Sequence, residues 1–287
     1  MRIYLAGTSV SNPKEEKVIQ RLFKKGHKLH SYYHCVDGFE SKWFKTNKKN
    51  RVDLFIDSGA FSAWTQNIKI DINDYIKFIK NHENVISVYA NLDVIGIGGK
   101  MPNKKTAQLT LKNQKLMERA GLNPIPVYHY GEPFSYLKRY VNNYEYLAIG
   151  VAGNSGNKLI PWLDKCFSDY ICDKKGNPKI KVHGFAVIGF HLLFRYPWYS
   201  VDSTSWVITG RLGSIFIPKF NGGNWQFDKP PLKIAVSSQS PNLKDAGKHI
   251  TNLSPRQRIV LENYLSFMGY ELGESHFDEY PQDTELK

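Results

Sequence analysis

Three aspartates stand where apolar runs end. "VDLFIDSGAFSAW" (52–64) runs into Asp57, "VISVYANLDV" (85–94) reaches Asp93, and "WYSVDSTS" (198–205) reaches Asp202. Burying a charge is costly, so a carboxylate that closes a buried strand calls for a reason. One such Asp is commonly a turn residue or the N-cap of the next helix. Three of them, interleaved with glycines that let backbone approach a ligand closely, point instead to a shared pocket. Two carboxylates in one pocket divide labour: one acts as nucleophile or stabilises a cation, and the other moves protons. That is the chemistry of glycosidic bonds. A third carboxylate accepts well from the adjacent N–H groups of a guanine-like base. His129, in "NPIPVYHY" (123–130), and His183, in "KIKVHGFA" (179–186), are further pocket candidates. A histidine at a strand end is as often a hydrogen-bonded core residue.

The elements that must position these groups are eight short β-branched and aromatic runs: 2–7, 27–33, 53–60, 85–94, 123–130, 144–151, 179–186 and 198–205. Between most of them lie segments with helical apolar spacing. Residues 12–26 open on Asn12 as N-cap with Pro13 at the first helical position. Residues 71–83, 106–121, 133–143 and 159–176 follow the same pattern, while 36–50 and 187–197 do not read as clean long helices. Strand–helix alternation over eight strands predicts an α/β fold, a (β/α)8 TIM-type barrel over residues 1–206, with a doubly wound open sheet as the rival. In a barrel all strand ends meet at one face, and Asp57, Asp93, His129, Gly150 and Asp202 would share it.

After residue 206 the rhythm changes. Residues 207–287 predict a C-terminal extension packed on the barrel, with short strands, a helix at about 254–268 and an acidic tail. Ser254 with Gln257 three residues on forms a capping box, and Pro255 takes the first helical position. The 287 residues carry a formal charge of +13, but residues 271–287 hold six acids and one lysine, so 1–270 hold 38 basic and 20 acidic residues. A folded region this basic points to a polyanionic partner, nucleic acid first; a solvated lysine-rich surface is the plainer reading. No run of apolar residues is long enough to span a membrane, and the N-terminus turns polar too soon for a signal peptide. Cys35, Cys166 and Cys172 have no metal-type spacing. An odd, sparse cysteine count suits a cytoplasmic location.

The residues then reach a family. "DSGAFSAW" resembles the "DSGG-aromatic-Q" signature of the tRNA-guanine transglycosylase superfamily, and "NLDV", "AIGVAG" and "VDSTSW" stand in the order of its other site segments. The likeness covers about residues 50–210 and is nearest to the 7-deazaguanine DNA transglycosylases of phages and bacteria. It implies a pentosyltransferase, with no cofactor, that exchanges guanine in DNA for a 7-deazaguanine such as preQ0, the co-substrate, in a DNA modification that blunts restriction in the host cytoplasm. It implies Asp202 as nucleophile on the sugar C1′ and Asp57 as general acid/base. Phe61 matches the aromatic that stacks on the base, Asp93 the carboxylate that reads its edge, Gly150 and Val151 a backbone contact, and Ser58 a small polar member of the first motif. His129 falls near a base-contacting glutamine of the tRNA enzymes. Gly-Gly of the signature is Gly59-Ala60 here, and its Gln is Ser62. The tRNA members hold zinc in a "CxCxxC…H" cluster. This chain has no such cluster, which implies no zinc subdomain, no metal site and DNA in place of tRNA.

A base must leave the stack to react, which calls for a gripping surface. Lys100, Lys104 and Lys105 follow Asp93 in "GGKMPNKK" (98–105), and Arg195 and Trp198 precede Asp202 in "RYPWYS" (195–200); these are the expected nucleic-acid contacts, with "SKWFKTNKKNR" (41–51) as another basic run. The alternatives are the same exchange on tRNA, a basic barrel that only binds nucleic acid, and a hydrolase that cleaves N-glycosidic bonds to water.

Overall fold

The computed structural model describes residues 1–7, 26–35, 44–45, 48–49, 52–96, 103–151, 159–187, 189–205, 209–210, 212–227 and 229–267. The expected helix at 12–25, most of the basic run 41–51, Lys100 and the acidic tail lie outside these residues. The chain divides into two compact units, 1–204 and 205–287.

The first unit is an α/β unit around one all-parallel, eight-stranded curled sheet. Its strands are β1 (Arg2–Ala6), β2 (His27–Ser31), β3 (Asp53–Asp57), β4 (Val88–Tyr89), β5 (Val127–His129), β6 (Tyr146–Gly150), β7 (Lys181–Phe185) and β8 (Ser200–Ser203). The order is β4-β3-β2-β1-β8-β7-β6-β5, so β1 pairs with β8 at the centre, with Tyr4 beside Asp202. The two edge strands meet at a parallel bridge between Ala90 and Ile125. Asn91 N–H donates to Ile125 O at 3.0 Å and Ile125 N–H to Tyr89 O at 2.9 Å.

Alternation along each strand explains the two faces. Tyr4, Leu29, Phe55, Ala90, Val127 and Ala148 form one core inside the curl. Their neighbours in sequence point the other way: Leu54 and Ile56 pack on Tyr75 and Ile79, and Leu147, Ile149, Val182 and Val201 pack on Leu137, Leu163 and Phe167. Asp53 and Asp57 therefore fall on the same side of β3 as Phe55. Asp53 marks the N-terminal end, where its Oδ2 accepts from Arg2 and from the Tyr4 hydroxyl, both at 3.1 Å, and meets His27 Nδ1 at 2.7 Å.

Helices cover the outer face. A short α1 (Ala60–Thr65) follows β3 directly, where the alternation predicts strand to Ala60. Helix α2 (Ile72–His82) starts at Asp71, whose side chain accepts from Asn73 N–H at 2.7 Å. Helix α3 (Lys104–Arg119) has a capping box between Asn103 and Thr106, and Gly121 follows its end at φ 83°. Helices α4 (Phe134–Asn143) and α5 (Leu159–Lys165) come next, and α5 widens into a π-helical turn at Cys166–Ile171. A single short helix, α6 (Phe190–Arg195), lies in the connection that lacked a clean helical pattern. None of the described helices is long and apolar enough to cross a membrane.

In the second unit β9 (Ser214–Ile217) pairs antiparallel with β12 (Leu232–Ala235), and β10 (Lys219–Asn221) forms a hairpin with β11 (Asn224–Gln226). Helix α7 (Pro255–Phe267) contributes Leu261 to a core with Ile217, Ile234 and Leu253. Its capping box is formed: Ser254 N–H donates to Gln257 Oε1 at 3.0 Å and Gln257 N–H to Ser254 Oγ at 3.3 Å.

Candidate active site

The polar groups gather at the C-terminal ends of β3, β4, β5, β7 and β8. Asp57 closes β3. The next residue, Ser58, is fully buried, and its hydroxyl donates to Asp93 Oδ1 at 2.7 Å while accepting from Ala60 N–H at 3.2 Å. Gly59 donates its N–H to Asp57 Oδ2 at 3.1 Å and sits at φ 76°. A Cβ there would lie 2.3 Å from Tyr33 Cβ, so both conformation and space demand glycine. The chain thus turns from strand into helix within two residues. That turn is what ends the apolar run on a carboxylate, a hydroxyl and a glycine.

Asp93 lies beyond β4 on a segment pinned by α3. Asn113 donates to Leu92 O at 2.7 Å, Val94 N–H donates to Thr110 Oγ1 at 2.9 Å, and Asn91 donates to Thr110 O at 3.3 Å. The second carboxylate oxygen of Asp93 meets His129 Nε2 at 2.9 Å. His129 in turn faces Glu132, a residue that sequence reasoning missed. Glu132 Oε2 accepts from the His129 backbone N–H at 3.1 Å, and Oε1 stands 3.5 Å from Nδ1.

Asp202 is held differently. Its Oδ1 meets His183 Nε2 at 3.3 Å and accepts from Ala186 N–H at 2.9 Å. Ala186 presents that N–H from a left-handed conformation, φ 55°, a strained backbone of the kind found at functional sites. No described residue hydrogen-bonds Asp202 Oδ2. Behind it, His183 Nδ1 meets Ser200 Oγ at 2.7 Å, and Ser200 Oγ meets the Tyr146 hydroxyl at 2.5 Å.

Burial and charge give these groups distinct protonation states. Asp57 keeps some solvent-accessible surface, as a pocket-lining group must. Desolvation, then the nearby Asp93 and Asp202, push its carboxyl up to about 8 against the opposing N–H bonds of Gly59 and Ser58. Burial works to lower His129, but hydrogen bonds and charge from Asp93 and Glu132 outweigh it and raise the imidazole to about 10. Burial wins at His183, which is lowered despite Asp202. At neutral pH the site therefore holds a neutral Asp57, an imidazolium at His129 and a neutral His183.

Of the expected base-binding residues, Ser58, Asp93, His129 and Gly150 come together. Gly150 pairs with His129 across β5–β6, and a Cβ on it would lie 2.5 Å from His129 Cδ2. Phe61 stands on the first turn of α1 with 42% of its surface exposed. A cavity of ≈ 910 Å³ opens beside Asp93, lined by Trp64, Leu92, Ile95 and Leu109 among others. The side chain of Val151 is spent on the outer core.

The expected nucleic-acid contacts fare less evenly. Lys104 and Lys105 are exposed on the first turn of α3. Arg195 is exposed, but its guanidinium forks onto Asp164 with two 2.8 Å bonds. Trp198 corrects its expectation: it is 4% exposed, donates to Leu192 O at 2.9 Å and packs edge-on against Phe167. It fills the space left by Gly184, where a Cβ would lie 3.0 Å from its ring. A tryptophan so placed is core, not a stacking surface.

Among the described residues no group of three His, Cys, Asp or Glu could hold a metal ion. Comparison with protein-family models, curated proteins and solved structures finds no match to this chain.

Proposed function

We propose that the first unit is a (β/α)8 barrel closed at the Ala90–Ile125 bridge, and that the chain is a DNA-guanine transglycosylase. The observation that carries the reading is the contrast between two carboxyls at one face of the sheet. Burial, Asp93 and Asp202 raise Asp57 to about 8, while Asp202 has one oxygen held by two donors and the other without a hydrogen bond among the described residues. The resemblance of "DSGAFSAW" and the later segments to the transglycosylase motifs supports the same assignment.

In this reading Asp202 Oδ2 attacks C1′ of the deoxyribose, the C1′–N9 bond breaks, and its electron pair leaves with guanine. Asp57 gives its proton to the departing base. The resulting carboxylate then takes the N9 proton of the incoming 7-deazaguanine, whose N9 attacks C1′ and releases Asp202. Asp57 ends neutral, so protons balance over the cycle, and two displacements retain configuration at C1′. Asp93 accepts from the N1–H and 2-amino group of the base. Phe61, exposed on α1, offers a ring for stacking. The exposed Lys104 and Lys105 are the proposed phosphate contacts.

The test is a substrate comparison. The protein is incubated with preQ0 and either guanine-containing DNA or unmodified tRNA, the polymer is digested to nucleosides, and the products are read by mass spectrometry. The deazaguanine nucleoside in DNA alone is the expected result. Product in tRNA alone would move the reading to the tRNA enzymes. Folded protein that binds DNA and yields product in neither would overturn it in favour of a binding protein.

A further inference from the structure

Glu132 takes no part in the exchange just described, yet its carboxylate is wholly buried beside the site. Charge in such a place needs a partner. Its two oxygens clamp one residue: Oε2 accepts from the His129 backbone N–H at 3.1 Å, and Oε1 faces His129 Nδ1 at 3.5 Å. Among the described residues neither Oε1 nor Nδ1 makes a hydrogen bond, so at 3.5 Å the two meet as an ion pair. The clamp is local in origin. Residues 129–132 form a tight turn, with Glu132 N–H donating to His129 O at 3.2 Å and Gly131 at φ 92°. A positive φ at the third position is what glycine permits. The ring of His129 is pinned from the other side by Gly150, which leaves no room for a side chain.

From Glu132 the chain of contacts runs outward through His129 Nε2 to Asp93 Oδ2 at 2.9 Å, and Ser58 donates to Asp93 Oδ1 at 2.7 Å. Each Asp93 oxygen thus has one donor behind it and a lone pair to spare. We infer that Glu132 is a positioning residue that keeps a proton on both nitrogens of His129, and that this fixed cation holds Asp93 in one plane as the acceptor for a ligand edge with two neighbouring N–H donors. The inference rests on the transglycosylase reading for the identity of the ligand, a 2-amino-6-oxo purine or deazapurine edge. It does not rest on that reading for the charge of His129. Among the described residues the charged groups that face His129 are Asp93, from the segment after β4, and Glu132, from the turn after β5; Gly150 on β6 brings none. With Asp93 as the acceptor, a base lacking the exocyclic amine forfeits one bond.

Two measurements separate the parts. Side-chain nitrogen NMR of the wild-type protein should find both His129 nitrogens protonated at neutral pH. In Glu132→Gln the ring should lose its proton at a lower pH than in wild type. A neutral His129 in wild type, or an unshifted titration in Glu132→Gln, would overturn the inference whether or not the protein exchanges bases. The wild-type arm needs no variant, so a misfolded Glu132→Gln does not spare it. In base exchange, Glu132→Gln should raise KM for the incoming base by about tenfold, the scale of one charge-assisted hydrogen bond, and by more than it lowers kcat. It should also narrow the preference for guanine over hypoxanthine. Unchanged KM and preference, beside a deprotonated His129, would overturn the specificity role while leaving the transglycosylase reading standing. Absence of any exchange in wild type would instead remove that reading.

Discussion

His183 holds Asp202 by one oxygen. Its Nε2 meets Oδ1 at 3.3 Å, the same oxygen that accepts from Ala186 N–H, so among the described residues the donors hold the carboxylate from one side. The imidazole is itself fixed by Ser200 at 2.7 Å and by ring contacts with Tyr4 at 5.9 Å and Phe55 at 4.6 Å between centroids. A neutral histidine with Nε2–H toward Asp202 accepts at Nδ1 from the Ser200 hydroxyl. That tautomer follows from the partners.

Replacing that ring with an apolar one of similar size removes the donor and keeps the packing. If Asp202 is the nucleophile proposed above, His183→Phe should slow formation of the covalent DNA adduct by about a hundredfold, the cost of a poorly aimed nucleophile. A melting curve run in parallel reads the fold separately. An adduct rate equal to wild type would mean that Ala186 N–H alone orients Asp202.

Asp57 makes a signed prediction about pH. Its folded-state proton is held to about 8, whereas the unfolded chain's carboxyl has its ordinary 3.8. The folded form therefore binds the proton over that window and the unfolded form does not. The contribution is complete below the unfolded value and is lost as pH rises through the folded one. Asp57→Asn removes this dependence. Its melting temperature relative to wild type should climb as pH is raised from about 5 to about 9. If Asp57 is the general acid proposed above, adduct formation by wild type should fall over the same upper limb as that acid loses its proton. A melting difference that stays flat with pH would place Asp57 in a better-solvated setting than its neighbours imply.

Gly150→Ala tests the seat of His129. The added methyl would meet the imidazole Cδ2 at 2.5 Å, so ring or strand must shift. Overpacking of this kind costs about 1–3 kcal/mol. The variant should melt lower, and the His129 nitrogens should titrate toward the ordinary imidazole range because the Asp93 pair is stretched. Full stability with an unmoved His129 titration would mean that the β5–β6 pair gives way at no cost.

Much of this arrangement was legible because a strand alternates. Asp53, Phe55 and Asp57 share a face by periodicity alone, and the eight apolar runs mark the eight strands. What alternation cannot mark is the point where it stops. The run 53–60 read as one strand, but Gly59 in a left-handed conformation ends it and α1 begins at Ala60. Glu132 was missed because it lies past a strand end, where no apolar pattern points inward; the signal was "HYGE", a glycine turn that returns a carboxylate to the histidine three residues back. Trp198 misled for the opposite reason. Its neighbour Arg195 is exposed, but Gly184 leaves room that the Trp198 ring and Val187 occupy.

Phe61 offers the sharpest separation of function from stability. The residue is 42% exposed and its ring lies 6.1 Å from that of Trp64 between centroids, so truncation deletes less buried surface than at a core phenylalanine. Phe61→Ala should cost about 1–2 kcal/mol of stability, below the roughly 3–5 kcal/mol of a core phenylalanine. If the ring stacks on the exchanged base, the same variant should weaken binding of the base or of the extruded nucleotide by about 1–3 kcal/mol. Phe61→Tyr keeps a π-face and should restore most of that loss. Leucine, apolar but not aromatic, should restore less. Calorimetric binding of guanine to the three variants and wild type makes the comparison. Equal affinity in Phe61→Ala and wild type would take the ring out of the base site and leave recognition to Asp93 and its partners.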